Sequence, residues 1–174
     1  TTAGVSISGG TKSGSHYVSL GYNSLGGITD NSQLENANLR LNITRKLSEN
    51  LKFNTRVSAY YGEGSMFQSP NRFGGNSSIV NSALLRNPIS NSAEDNDNQQ
   101  IDPILAQTDF DDISEELRII GSVSMEYQFP GFKGLKYTLR AAGNIRKKER
   151  LRWFGINTFR GQFNNGSYSE SKLS

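Results

Sequence analysis

The chain has 174 residues, with nineteen Lys and Arg against sixteen Asp and Glu, 34% apolar side chains and eighteen glycines. At this length one folding unit is expected, yet a mean hydropathy of −0.58 leaves too little apolar material to fill a two-sided core. A net charge of +3 is too small to call for nucleic acid, the lack of cysteine removes disulfides and thiolate chemistry, and no run nears the roughly 20 apolar residues of a membrane helix.

The opening TTAGVSISGG lacks the basic start and apolar run of a signal peptide, so the chain is expected to begin after processing or inside a longer protein. Period-two alternation then marks six strands. Residues 3–10 place Val5 and Ile7 on one side, and 15–23 place Val18, Leu20 and Tyr22 there. In 36–47, Ala37, Leu39, Leu41 and Ile43 oppose Arg40, Asn42 and Thr44. In 51–62, Leu51, Phe53, Val57, Ala59 and Tyr61 oppose Lys52, Asn54, Arg56 and Ser58. The longest alternations come last. Residues 115–129 set Leu117, Ile119, Val123, Met125, Tyr127 and Phe129 against Arg118, Ser122, Ser124, Glu126 and Gln128. Residues 135–147 set Leu135, Tyr137, Leu139, Ala141 and Ile145 against Lys136, Thr138, Arg140 and Asn144.

The later strands reach the roughly 9–11 residues that a tilted transmembrane strand needs, beyond the roughly 5–6 of globular sheets. Tyr and Phe near the strand ends suit interfacial girdles. The connections at 11–14, 48–50 and 130–134 are tight and rich in Gly, Pro, Ser or Asn, whereas 23–35, 62–114 and everything after 146 are long and polar. Short turns on one side and long loops on the other are the asymmetry of outer-membrane barrels, which puts the turns in the periplasm and loop 62–114 outside. The expected fold class is therefore all-β: an antiparallel transmembrane β-barrel segment of about six strands.

The loops hold several candidates. SSIVNSALLRN (77–87) has Ile79, Val80, Ala83 and Leu84 at helical spacing before Pro88, either as a lid over the lumen or as a helix packed on neighbouring loops. Glu94, Asp95, Asp97 and Asp102, with Asp109, Asp111 and Asp112, are oxygen ligands in type, but match no complete calcium-loop spacing, and a solvated acidic loop is the better reading. RKKERLR (146–152) is expected just beyond the last strand, where acidic substrate or lipid phosphate can meet it. Trp153, Phe154 and Tyr168 offer flat faces for sugar rings or for loop packing. Catalysis has no support: His16 is the one histidine, without a neighbouring Ser or carboxylate motif, and the paired glycines lack a phosphate-loop lysine. No catalytic, metal or cofactor residue is expected. The candidate lumen or substrate contacts are Arg40, Asn42, Arg56, Arg118, Arg140, Asn144, Trp153 and Tyr168.

Three stretches resemble the SusC family of TonB-dependent outer-membrane transporters of Bacteroidetes. They are SISGGTKSGSHYVSLGYNSLGGI (6–28), LRLNITRKLSENLK (39–52), and the run from Ile101 to Asn144 with its DP-containing loop entry and GLKYTLRAAGN strand. Asp102-Pro103 stands where that family usually has Asn-Pro, and Ser122 where Asn commonly follows Gly. The resemblance implies one arc of a 22-stranded plugged barrel. It also implies import of oligosaccharides or peptides, a SusD-like surface lipoprotein as partner, TonB acting through a plug domain not present in this chain, and a multi-pass place in the outer membrane. The rival expectation is a β-rich cell-surface module for carbohydrate binding or adhesion, in which the apolar face would be buried against a second sheet.

Overall fold

The computed structural model describes residues 1–27, 32–65, 107–132, 134–158 and 161–174. Seven strands follow one another in a single sheet in sequence order: β1 (Thr2–Thr11), β2 (Gly14–Gly26), β3 (Gln33–Ser48), β4 (Leu51–Ser65), β5 (Phe110–Gln128), β6 (Lys136–Phe154) and β7 (Ser167–Leu173). Every neighbouring pair is antiparallel. The fold is an all-β meander. The sheet is open, since β1 and β7 have one neighbour each.

Local chemistry sets the turns. Lys12-Ser13 links Thr11 to Gly14 in a two-residue hairpin. A Cβ at Gly14 would run into the Thr44 carbonyl oxygen of the next strand, so the close approach of β2 and β3 demands glycine there. Glu49-Asn50 links β3 to β4, with a register shift between Lys46 and Ser48. The third turn closes through Leu135 N–H donating to the Phe132 carbonyl (3.1 Å) and holds Gly134 at φ 93°. All three turns join strands at one end of the sheet, and the strand ends Gly26, Gln33, Ser65, Phe110, Phe154 and Ser167 lie at the other.

Register decides what shares a face, because residues directly opposite one another point the same way. One row runs Tyr22, Ala37, Tyr61, Leu117 across β2 to β5. The next two are Leu20, Leu39, Ala59, Ile119, Ile145 and Val18, Leu41, Val57, Gly121, Gly143. Below them come Phe53, Met125, Leu139 and then Leu51, Tyr127, Tyr137. Tyr127 meets Phe129 edge-on at 4.9 Å. The apolar residues of separate strands thus form one continuous face. Among the described residues nothing covers it: Leu39 is 42% exposed, Leu139 51% and Ile145 67%. The buried apolar side chains among the described residues are Phe110 and Phe154, in ring contact at the loop end.

The strands run further than their alternation indicates. The 36–47 segment begins at Gln33, the 115–129 segment at Phe110, and the 135–147 segment continues to Phe154. The connection expected at 23–35 therefore shrinks to 27–32, and 62–114 to 66–109. The basic stretch 146–152 lies inside β6, not beyond it, and β7 forms where only loop was expected. The reason is common to all of these. Where both faces are charged or polar, as in Glu115 beside Glu116 or Lys147 beside Lys148, backbone pairing continues but leaves no apolar/polar alternation to read.

Candidate functional site

The polar face is built by the residues between the apolar ones. Three adjacent rows define it: Arg40, Ser58, Ile120, Asn144; then Asn42, Arg56, Ser122, Ala142; then Thr44, Asn54, Ser124, Arg140. Arg118 stands one row towards the loop end, between Tyr60 and Arg146. Six of the eight sequence candidates, Arg40, Asn42, Arg56, Arg118, Arg140 and Asn144, are therefore brought together on one face. The other two are not. Trp153 and Tyr168 are cross-strand partners of each other on the opposite side, in the register that carries Ile145 and Leu139, towards the loop end.

Hydrogen bonds tie the polar rows across strands. Thr44 Oγ1 donates to Asn54 Oδ1 (3.0 Å), Asn54 Nδ2 to Ser124 Oγ (3.3 Å), and Arg118 Nε to Asn144 Oδ1 (3.3 Å). Lys136 Nζ pairs with Glu126 at 2.9 Å. Between these ties lies an open hollow of about 450 Å³, whose polar lining is Lys52, Asn54, Arg56, Ser122, Ser124, Glu126 and Arg140. It exists because β5 and β6 present the short side chains Ser122, Ser124 and Ala142 where β4 and β6 present long ones.

Towards the loop end, beyond the apolar band, the charges pair. Arg146 grips Glu116 with two N–H donors, Nε to Oε1 at 2.8 Å and an Nη to Oε2 at 3.2 Å. Arg150 grips Asp112 likewise, Nε to Oδ1 at 2.7 Å, and Asp112 is only 6% exposed. The Arg146 hydrogen bond holds the Glu116 carboxyl below its ordinary range against a smaller opposing desolvation. The Asp112 hydrogen bond raises Arg150 above its ordinary value. Both pairs are forked charge-assisted bonds, which fix side-chain direction as well as adding attraction. The Nε of Arg152, one row on, is buried with no hydrogen-bond partner among the described residues.

The described residues of the 155–166 connection are tied to this end by hydrogen bonds. Thr158 is fully buried, its hydroxyl donating to the Gly155 carbonyl (2.7 Å) and accepting from Gly161 N–H (3.0 Å). Asp109 accepts from Asn157 N–H at 2.8 Å and, through its carbonyl, from Gly155 N–H. Asp109 and Asp112 are thus engaged by the protein, and the described residues contain no cluster of three metal-ligand side chains. Glu94, Asp95, Asp97, Asp102 and the expected helix 77–87 lie outside the described residues. His16 faces Gly9 and Ile43 on the apolar side.

Sequence reading missed the two carboxylate forks. Asp112 fell in the expected loop 62–114 and Glu116 at the start of the strand 115–129, while Arg146 and Arg150 belonged to the basic stretch 146–152 at and beyond the end of the last expected strand. The signal available was the run of cations at alternate positions 146, 148, 150 and 152, which is itself a strand period. Comparison with known proteins adds no relative to this picture, since no family model and no curated sequence matches the chain.

Proposed function

We propose that this sheet is one arc of the wall of an outer-membrane β-barrel, part of a SusC-like TonB-dependent importer of oligosaccharides or peptides. The observation that carries the reading is the pair of unlike faces: a continuous apolar band with nothing over it, backed by a hydrogen-bonded polar face. In water, that apolar face would be an aggregation surface, whereas lipid covers it at no cost. The dimensions agree. From Leu117 to Tyr127 there are ten residue steps, about 33 Å of strand, or about 25 Å of depth at a tilt near 40°. That is the height of the lipid-facing band in outer-membrane barrels. Tyr22 and Tyr61 stand at its loop edge and Tyr127 and Tyr137 at its turn edge, the places of interfacial girdles.

Transport in this reading uses the polar face as the solute side, with TonB acting through a plug domain and a SusD-like lipoprotein closing the outside. No covalent step is assigned to this wall. The surface-module alternative needs a second sheet over Leu39, Val123 and Leu139, and no described residue supplies one. The lack of cysteine makes the test direct. Single cysteines at Leu41 and Asn42, labelled with an environment-sensitive fluorophore in the protein embedded in vesicles, should separate sharply. The Leu41 probe should be quenched by brominated acyl chains and the Asn42 probe by aqueous iodide. Aqueous quenching at both positions would sink the proposal.

A further inference from the structure

The whole-chain charge of +3 conceals an unequal division between the faces of the sheet. On the polar face β3 presents Arg40 and Lys46, β4 Lys52 and Arg56, and β5 Arg118. β6 adds Lys136, Arg140, Arg146, Lys148, Arg150 and Arg152. Against these eleven strand cations stand three carboxylates on the same face, Asp112, Glu116 and Glu126, an excess of eight. The apolar face has the opposite balance, with Arg45, Lys147 and Lys172 against Glu35, Glu63, Asp111, Glu115, Glu149 and Glu170, a deficit of three.

The three polar-face carboxylates are already engaged, by Arg150, Arg146 and Lys136. Arg40, Lys52, Arg56 and Arg140 have no ion pair among the described residues. Cations in excess on one face repel one another and raise the local concentration of anions. They also form a path. From Arg152 at the loop end to Lys136 at the turn end, β6 carries cations over sixteen residue steps, about 53 Å of strand.

The hollow lies on that path. Arg56 on β4 and Arg140 on β6 flank Ser122 and Ser124 on β5, with Lys52 at the rim opposite Glu126, whose carboxylate is held by Lys136. Planar guanidinium forks match the paired oxygens of a carboxylate, sulfate or phosphate, and the serine hydroxyls add neutral donors. Short side chains beneath leave room for the group to enter. We propose that the polar face is selective for anionic solutes, and that Lys52, Arg56 and Arg140 over Ser122 and Ser124 seat one oxyanion group. This deepens the transporter proposal and rests on reading the polar face as the solute side.

The test is calorimetric titration of the full-length protein in detergent with a carboxylated tetrasaccharide (tetragalacturonate), a neutral one (maltotetraose), inorganic sulfate and inorganic phosphate, at low and moderate salt. The carboxylated sugar should bind at least about tenfold more tightly than the neutral one, and added salt should erode the difference. Sulfate and phosphate competing with the sugar would assign the seat to oxyanions in general. Failure of both to compete would restrict it to carboxylates. Arg56→Gln and Arg140→Gln should each weaken the acidic sugar at least about fivefold, while Arg45→Gln on the opposite face should not.

Equal affinity for acidic and neutral sugars overturns the inference. So does a lowered melting temperature in Arg56→Gln and Arg140→Gln with unchanged sugar affinity, which would mean that an acidic segment of the protein occupies the seat. Should either variant fail to fold, the acid-to-neutral ratio and its salt dependence in the unsubstituted protein decide. Lipid quenching at Leu41 separates the two proposals: retained quenching without anion preference removes this inference alone.

Discussion

Replacing Leu41 by arginine tests the assignment of faces at its most demanding point. Leu41 lies between Val18 and Val57 in register, four residues from Ala37 in the tyrosine row and four from Arg45 at the turn edge. On β3 it is the middle of the apolar band. An arginine on the lipid face of a barrel costs about 2–4 kcal/mol near the midplane and about 0–1 near the interfaces. Leu41→Arg should therefore lower the folding equilibrium constant by about thirtyfold to several hundredfold, at about 1.4 kcal/mol per tenfold. The neighbouring substitution Asn42→Arg enters the polar face opposite Tyr17 and Arg56. Its main cost is a like-charge cross-strand pair, about 0.2–1 kcal/mol. Denaturant titration in vesicles, followed by electrophoretic mobility of the unheated protein, measures both. Equal costs at 41 and 42, or a larger cost at 42, would refute the lipid-facing assignment.

Three further outcomes follow from the same geometry. Trp153, the single tryptophan, stands six residue steps beyond Lys147 on the same face, about 15 Å further out at barrel tilt, so its emission should respond to aqueous iodide and not to bromines placed mid-chain in the lipid. Arg150→Ala leaves the 6% exposed Asp112 carboxylate without its fork, and should cost about 1.5–3 kcal/mol in denaturant titration, whereas Lys147→Ala, whose exposed pair with Glu149 is screened by water, should cost under about 1 kcal/mol. Gly166 holds φ 104° at the entry to β7, and a Cβ there would come within 3.0 Å of the Trp153 ring. Gly166→Ala should destabilise by about 1 kcal/mol or more and shift the Trp153 emission, and an unchanged spectrum would contradict the packing of that turn.

Sequence and structure contributed unequally along the chain. Six of the seven strands announce themselves by alternation, because in their middle portions one face is apolar and the other polar. The three tight turns are equally legible, since Gly14 and Gly134 supply the close approach and the positive φ that two of them require, and Ser48 and Asn50 are turn formers in the third. The candidate site was half legible. Arg40, Asn42, Arg56, Arg118, Arg140 and Asn144 could be assigned to one face from parity alone, strand by strand. That Arg56 and Arg140 flank the same two serines could not, because cross-strand register is set by hydrogen-bond pairing between residues as much as 76 positions apart, as between Leu51 and Tyr127.

By itself the sequence determined the period: which residues oppose which within a strand, and hence that an apolar and a cationic side exist. The tertiary structure decided everything that needs two strands at once. It extended β5 back to Phe110 and β6 out to Phe154, because backbone pairing continues through stretches whose two faces are both charged. It turned Trp153 and Tyr168 away from the polar set, since an unbroken register through β6 fixes their parity with Ile145. And it joined Asp112 to Arg150 and Glu116 to Arg146 across β5 and β6, contacts separated by 38 and 30 residues in sequence, which only the antiparallel return of the chain brings within reach.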